Sequence, residues 1–371
     1  MSPIIRACEA HALGYLVIDT GQHYDYEMNQ IFFETLDLPS PHYQLQVGSG
    51  THGQQTGRLL MEIEQVLLDE RPDIVLVEGD TNTVLAGGLA ASKLRIKVGH
   101  VEAGLRSYDR NMPEETNRVL TDHLADFLFA PTSEAAENLM REGISADKIF
   151  VTGNTIVDAV QQNLEIARKE SSVLNDLELS KNNYFLITVH RPENVDCKQR
   201  LASILRSFRV IYDRFETLLI LPIHPRTRKV LQMFDLAVPA CVRLIEPLGF
   251  LDFLQLEANA KLILTDSGGI QEEACILQVP CVTLRDNTER PETVEVGSNV
   301  VAGIQPEGIV RCVERMLSVT RDWLNPFGDG KSGRYILDII QTQASVSKDG
   351  SAWPESIDLA TVVNPRNWTR L

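Results

Sequence analysis

The sequence predicts an α/β protein built from two doubly wound, Rossmann-like domains facing a cleft. Three observations carry that prediction. From residue 72 onward, short apolar runs alternate with segments of helical periodicity, the pattern of a parallel sheet. A polar stretch over 171–183 interrupts the alternation before a second series begins. The 371 residues suffice for two cores at about 150 residues per domain. With 43% hydrophobic and 23% charged residues, the composition is that of a folded chain, not a disordered or fibrous one.

Taken in order, the chain opens with a helix-like segment over 2–12, followed by a strand over 15–19. Across 51–69, Leu59, Leu60, Ile63, Val66 and Leu67 recur at helical spacing. Strands follow at 74–77, 97–101, 127–130 and 149–152, and then the polar linker. The second series predicts strands at 184–189, 218–223, 242–245, 262–265 and 281–284. Its first helix shows one continuous stripe through Leu201, Ile204, Leu205, Phe208, Ile211, Tyr212 and Phe215. The expected partition is a first domain over 1–172 carrying acid/base groups, a second over 173–335 carrying a nucleotide site, and a helix over 336–345 crossing back to the first. Residues 346–371, with weak periodicity, are expected to form a poorly packed tail. Doubly wound domains open with a strand whose following turn faces the ligand. This chain opens with a helix, so the first strand is expected to be missing and the first domain to be incompletely folded.

A formal net charge of −16 argues against a nucleic-acid binder, because phosphate-backbone attraction needs an excess of Lys and Arg. The six cysteines, Cys8, Cys197, Cys241, Cys275, Cys281 and Cys312, form no C-x-x-C pair and read as buried thiols of a reducing compartment. No apolar run reaches the roughly 18 residues of a membrane helix, and Met1 to Arg6 lacks a signal-peptide pattern. A cytoplasmic protein without membrane partners is expected. There is no zinc spacing of Cys and His and no G-x-x-x-x-G-K-[ST] loop. Gly48-Ser49-Gly50-Thr51-His52-Gly53 fits a dinucleotide fingerprint, but the preceding 43–47 alternates polar and apolar residues, unlike a central parallel strand.

Ligands of open α/β sheets bind outside the carboxyl ends of the strands. In the first series those positions are rich in carboxylates: Asp80 in Glu78-Gly79-Asp80-Thr81-Asn82-Thr83, Glu102 in Glu102-Ala103-Gly104-Leu105-Arg106, and Glu114 in Pro113-Glu114-Glu115-Thr116-Asn117-Arg118. Asp80 or Glu114 alone reads as a helix cap or a first-turn acid; three acids on one edge suit acid/base work. In the second series, Ser267-Gly268-Gly269 opens a helix and offers unpaired backbone N–H groups for a phosphate. Glu273, one turn further on, is placed to accept from ribose hydroxyls. His190-Arg191, His224-Pro225-Arg226 and Arg285 also follow strands, and basic groups at that edge suit a diphosphate.

Six motifs in order, Gly79-Asp80-Thr81-Asn82-Thr83, His100-Val101-Glu102-Ala103-Gly104-Leu105-Arg106, Pro113 to Arg118, Thr152-Gly153-Asn154-Thr155, Asp266-Ser267-Gly268-Gly269 and Glu289-Arg290-Pro291-Glu292, resemble the non-hydrolysing UDP-N-acetylglucosamine 2-epimerases, archaeal members most of all. The resemblance spans about residues 1–338. It implies a fold of the glycosyltransferase-B type and reversible conversion of UDP-GlcNAc to UDP-ManNAc without metal or nicotinamide, by a homodimer, to supply precursors of surface or capsular polysaccharide. Position by position, it implies acid/base roles for Asp80, Glu102 and Glu114 and a place for His190 at the leaving diphosphate. It further implies a phosphate loop at Ser267, Gly268 and Gly269, a ribose ligand at Glu273 and an aromatic beside uracil at Phe250. Arg285, Glu289 and Arg290 match motif positions. Relatives begin with a strand and a Gly-Thr-Arg-Pro-Glu loop that has no counterpart before Met1, and an inactive UDP-sugar-binding remnant is therefore one alternative. A glycosyltransferase of the same fold and a hydrolysing epimerase are the others.

Elementary chemistry agrees with the implied reaction. C2 of the sugar has no adjacent carbonyl, so direct proton removal is very costly, whereas expelling UDP as the C2 proton leaves gives a glycal. Donors stabilise the departing diphosphate, and returning a proton to the opposite face requires acid/base groups on both sides.

Overall fold

The computed structural model describes residues 1–21, 33–345 and 359–363. They fall into two compact units. Unit 1 comprises 1–159 and 327–371, and unit 2 comprises 160–326.

Unit 2 is a six-stranded parallel sheet. Its strands are β7 (Tyr184–Thr188), β8 (Leu218–Pro222), β9 (Val242–Ile245), β10 (Leu262–Thr265), β11 (Cys281–Thr283) and β12 (Asn299–Val301). The spatial order is β12-β11-β10-β7-β8-β9, with the order reversing between β7 and β10. Every residue of β7 and β10 is buried, as expected for strands covered on both faces. One core layer runs through Phe185, Ile187, Leu201, Ile204, Phe208, Leu219 and Leu264, and the opposite face buries Tyr184, Leu186, Phe253, Leu256 and Ile263. The predicted stripe lies on the helix Lys198–Phe215 and buries Leu201, Ile204, Leu205, Phe208 and Ile211. The short edge strand β12 was not legible: three residues with no flanking periodicity give no strand signal.

Among the described residues, unit 1 has seven parallel strands: β1 (Tyr15–Asp19), β2 (Tyr43–Gln44), β3 (Ile74–Glu78), β4 (Lys97–Val101), β5 (Phe127–Ala130), β6 (Ile149–Val151) and β13 (Leu359–Val363). Their order is β2-β1-β13-β3-β4-β5-β6. The central position expected to be vacant is thus held by five residues from the stretch expected to be a loose tail; residues 346–358 and 364–371 of that stretch lie outside the described residues. β13 pairs in parallel with β1, Thr361 opposite Val17, and with β3, Thr361 opposite Leu76. Leu359, Ala360 and Thr361 are fully or almost fully buried. The physical reason is pairing: a gap between β1 and β3 would leave two rows of N–H and C=O groups without partners, and a short segment with β-branched Thr361, Val362 and Val363 satisfies both.

The helix Ser332–Ser345 belongs to this unit and packs on the opening helix Ser2–Ala10. Asp158 holds its start by accepting from the backbone N–H of Ser332 and Gly333 at 3.1 and 3.0 Å. No helix among the described residues is long and apolar enough to cross a membrane.

Candidate functional site

In unit 1 one helix, Pro113–Leu124, braces the loops that follow β3 and β4. Pro113 starts it, and Glu114 and Glu115 occupy its first turn, where acids complement the helix dipole. Asn117 Nδ2 donates to the Asp80 carbonyl at 3.0 Å, and Arg118 forms an ion pair with the Asp80 carboxylate. Arg118 also reaches Glu115 at 3.1 Å. Asp80, Glu102 and Glu114 are all half-buried, so each carboxylate keeps access to solvent or ligand. Glu115, by contrast, is buried and accepts from Ser107 N at 2.9 Å, Ser107 Oγ at 2.8 Å and Tyr108 N at 3.0 Å. Burial alone would raise its pKa, but these donors and Arg118 hold it below the usual carboxylate range. Of the two adjacent acids, Glu115 is therefore the one that builds the loop.

Glu102 itself has φ +67°, an unusual conformation for a non-glycine residue and one that clusters at functional turns. Gly104, at φ +82°, is required sterically as well, since a Cβ there would lie 2.2 Å from the Ala135 carbonyl oxygen. The turn is pinned from beneath by Asp122, which accepts from Gly104 N at 3.2 Å.

In unit 2 the loops after β7 and β10 flank the point where the strand order reverses, the place where doubly wound sheets bind ligands. Asp266, fully buried, joins them. It accepts from His190 N at 3.1 Å, Arg191 N at 3.1 Å and Asn194 Nδ2 at 3.0 Å. His190 Nδ1 lies 3.6 Å from the same carboxylate. Burial lowers the His190 pKa, Asp266 partly restores it, and Arg191 and His224 lower it further, for a net shift downward.

Ser267 caps the helix Gly268–Ile276 without any side-chain cap bond, which leaves first-turn N–H groups open. Neither Gly268 nor Gly269 has a positive φ, and a Cβ on either would meet nothing closer than 3.8 Å. The backbone conformation and the space at both positions would admit a side chain.

Five residues further on, Glu273 faces Glu257 of the helix Phe250–Asn259. Glu257 is fully buried, and neither of its oxygens meets a donor among the described residues. Burial and the neighbouring Glu273 push the Glu257 pKa well up, and burial pushes Glu273 to about 7. Like-charged neighbours disfavour each other's ionisation, and of the two Glu257 is the one held more strongly toward its protonated form.

Phe250 begins that same helix, half-buried. Arg285 is buried between Glu193, at 2.8 Å, and Glu289, at 3.3 Å, with Nη1 unpartnered among the described residues. Glu289 also approaches Arg191 at 3.7 Å, and Arg290 pairs with Glu272 at 2.7 Å. The structure thus brings His190, Ser267, Gly268, Gly269, Arg285 and Glu289 to one edge of unit 2, while Asp80, Glu102 and Glu114 belong to unit 1. Sequence reasoning assigned no role to Asp266, Arg118, Asp122 or Glu257. Arg118 had a signal, its spacing of three from Glu115; Glu257 had none.

Residues 6–341 match the profile of the family described as UDP-N-acetylglucosamine 2-epimerase. The chain is 58% identical over 347 residues to the UDP-N-acetylglucosamine 2-epimerase of Methanocaldococcus jannaschii, covering 92% of this chain and 94% of that one. A crystal structure of the M. jannaschii enzyme in complex with UDP-GlcNAc and UDP matches with TM-score 0.78, covering 92% of this chain and 95% of that one at 58% identity. The UDP-2,3-diacetamido-2,3-dideoxy-D-glucuronate 2-epimerase of Pseudomonas aeruginosa is 43% identical over 335 residues, 90% of this chain and 92% of that one.

Proposed function

Since the chain belongs to the UDP-N-acetylglucosamine 2-epimerase family, we propose that it interconverts UDP-GlcNAc and UDP-ManNAc by expelling and re-adding UDP. The observation that carries this reading is the division of labour. Unit 1 presents three half-buried carboxylates on loops braced by one helix, and unit 2 presents an open glycine-fronted helix start with Arg191 and Arg285 beside it. In this reading the first-turn N–H groups after Ser267 and the guanidinium groups take the diphosphate. Glu273 accepts from the ribose hydroxyls, and Phe250 lies beside the base. His190 stands at the leaving oxygen. Asp80, Glu102 and Glu114 remove the C2 proton from one face and return one to the other.

Arg285 and Arg191 already face Glu193 and Glu289, so an incoming diphosphate takes over cations whose present partners include exposed carboxylates. Exchanging one solvated anion for a better-placed one costs little. The 58% relative favours the unsubstituted sugar over the diacetamido uronate, and the proposal extends to a homodimer, which solution mass checks.

The test is turnover of UDP-GlcNAc in D₂O. The expected products carry deuterium at C2, remain nucleotide-linked, and slowly leak UDP and 2-acetamidoglucal. Retention of the original C2 hydrogen refutes elimination, and free ManNAc as the main product points to a hydrolysing enzyme.

A further inference from the structure

His100 lies in the middle of β4 with no exposed surface. Its ring sits between two acceptors: Nδ1 is 2.6 Å from Asp122 Oδ1, and Nε2 is 2.8 Å from the Gly79 carbonyl oxygen. A neutral imidazole has one N–H and one lone pair. Either tautomer would set a lone pair against an oxygen at hydrogen-bond distance, and flipping the ring would turn C–H groups toward both acceptors. With Asp122 held as the carboxylate by Arg106 and by the backbone N–H of Gly104, only the doubly protonated ring satisfies the geometry.

The surroundings balance its charge. Asp122 gives its second oxygen to Arg106 Nη1 at 2.7 Å, and Arg106, with a side chain 1% exposed, turns its other nitrogens to Glu142 at 2.7 and 2.6 Å. Two cations thus meet two carboxylates, Asp122 fully buried and Glu142 at the surface, the pairing that buried charges require. The groups facing the ring are Asp122 from the 113–124 helix, the Gly79 carbonyl from the loop after β3, and Glu102 from the turn after β4. Arg106 stands behind Asp122. Burial disfavours the cation, but Asp122, the Gly79 carbonyl and Glu102 together leave its pKa above the ordinary histidine value.

Gly79 immediately precedes Asp80, and Glu102 stands two residues beyond His100. We propose that His100 is a fixed cation and a positioning residue, tying the carbonyl before Asp80 to Asp122 and holding the Asp80 and Glu102 turns in their working geometry. The proposal rests on the acid/base reading of Asp80 and Glu102. His100 is too deep to touch substrate and acts through them.

Two measurements decide it. In the full chain with ¹⁵N-labelled histidine, both His100 ring nitrogens keep the protonated signature from about pH 6 to about pH 8, where exposed histidines with ordinary values near 6.5 turn neutral. A neutral tautomer at neutral pH overturns the proposal. The second measurement uses His100→Gln, which keeps a donor without the charge. It is expected to lower kcat at least about tenfold with UDP affinity unchanged, and to move the acid limb of the pH–rate profile upward, because nearby carboxylates lose a stabilising cation. An equal loss at every pH with an unmoved limb shows packing alone and overturns the positioning role. Should the variant not fold, the nitrogen signature of the unaltered chain still decides the charge. Full activity in Asp80→Asn and Glu102→Gln beside a doubly protonated ring would instead fall on the acid/base reading.

Discussion

The two sheets place a strand at the point where their order reverses by different routes. Unit 2 takes all six strands from one continuous stretch, working outward from β7 and β10. Unit 1 takes its central strand from the far end of the chain, so β1 and β3 are joined through residues more than 280 positions away in sequence. Their buried ionisable groups differ as well. Unit 1 encloses His100, Asp122 and the Arg106 side chain, with Glu142 ending the row of charges at the surface, whereas unit 2 sets the buried Glu257 against the half-buried Glu273. A parallel sheet demands a paired neighbour on each side and is indifferent to where along the chain it comes from. A buried charge, in contrast, is governed by its immediate partners: an opposite charge keeps both ionised, and a like group forces a proton onto one of them.

The sharpest way to break the comparison is to remove the central strand of one sheet only. Thr361→Pro deletes a ladder N–H at a fully buried interior strand and should cost about 1–3 kcal/mol for the partner carbonyl left unsatisfied. Amide exchange should accelerate in β1 and β3 while β7 and β10 stay protected and UDP still binds. Unchanged protection of β1 and β3 would show that β13 does not carry the sheet. Next in size, Asp80→Asn, Glu102→Gln and Glu114→Gln should each reduce kcat by about 10²-fold with little change in UDP affinity. If all three variants turned over substrate normally, the chemistry would have to be sought elsewhere.

The like-charge pair offers a pH-dependent contrast. A carboxyl whose folded pKa is raised binds more protons in the native state than in the unfolded one, so its contribution to stability declines as pH rises between those values. For Glu273 the decline runs from the ordinary range near 4.5 up to about 7. On the proposed ribose role of Glu273, ligand binding runs the other way, because ribose hydroxyls need the ionised acceptor. UDP affinity should therefore rise through about pH 7. Glu257→Gln, which keeps a donor, should leave that midpoint in place, and Glu257→Leu should move it higher. Calorimetric titration across pH checks both, and a midpoint indifferent to Glu257→Leu would dissolve the pair. The smallest effect separates structural glycine from ligand-facing glycine. With only ordinary contacts awaiting a Cβ, Gly268→Ala should leave stability unchanged or raise it by roughly 0.4–1 kcal/mol while weakening UDP binding. A clear loss of thermal stability would return Gly268 to the fold.

Most of this was legible because it is local. Ten strands and the long amphipathic helix announce themselves by periodicity within a few residues, and the carboxylates and glycines stand where strands end. β13 was hidden because five residues of ordinary β-propensity mean little until a gap of the right shape exists, and that gap is a property of the assembled sheet. Glu257 was hidden for a related reason: one acid on a helix looks solvated in sequence, and only the meeting of two helices buries it against Glu273. Asp122 and Arg106 likewise acquire meaning through His100, which sits on another element.

The position of β13 also orders events in time. Chains emerge from the ribosome at about 5–20 residues per second, and domains fold as they appear. After β6 is made, about 200 further residues must be synthesised before Leu359–Val363 arrives, roughly 10–40 s at those rates. Unit 2 can finish within that interval. Unit 1 must wait, with β1 and β3 holding facing rows of unmatched amide and carbonyl groups, a state that invites either a chaperone or another nascent strand. For this molecule the first half begun is the last half completed.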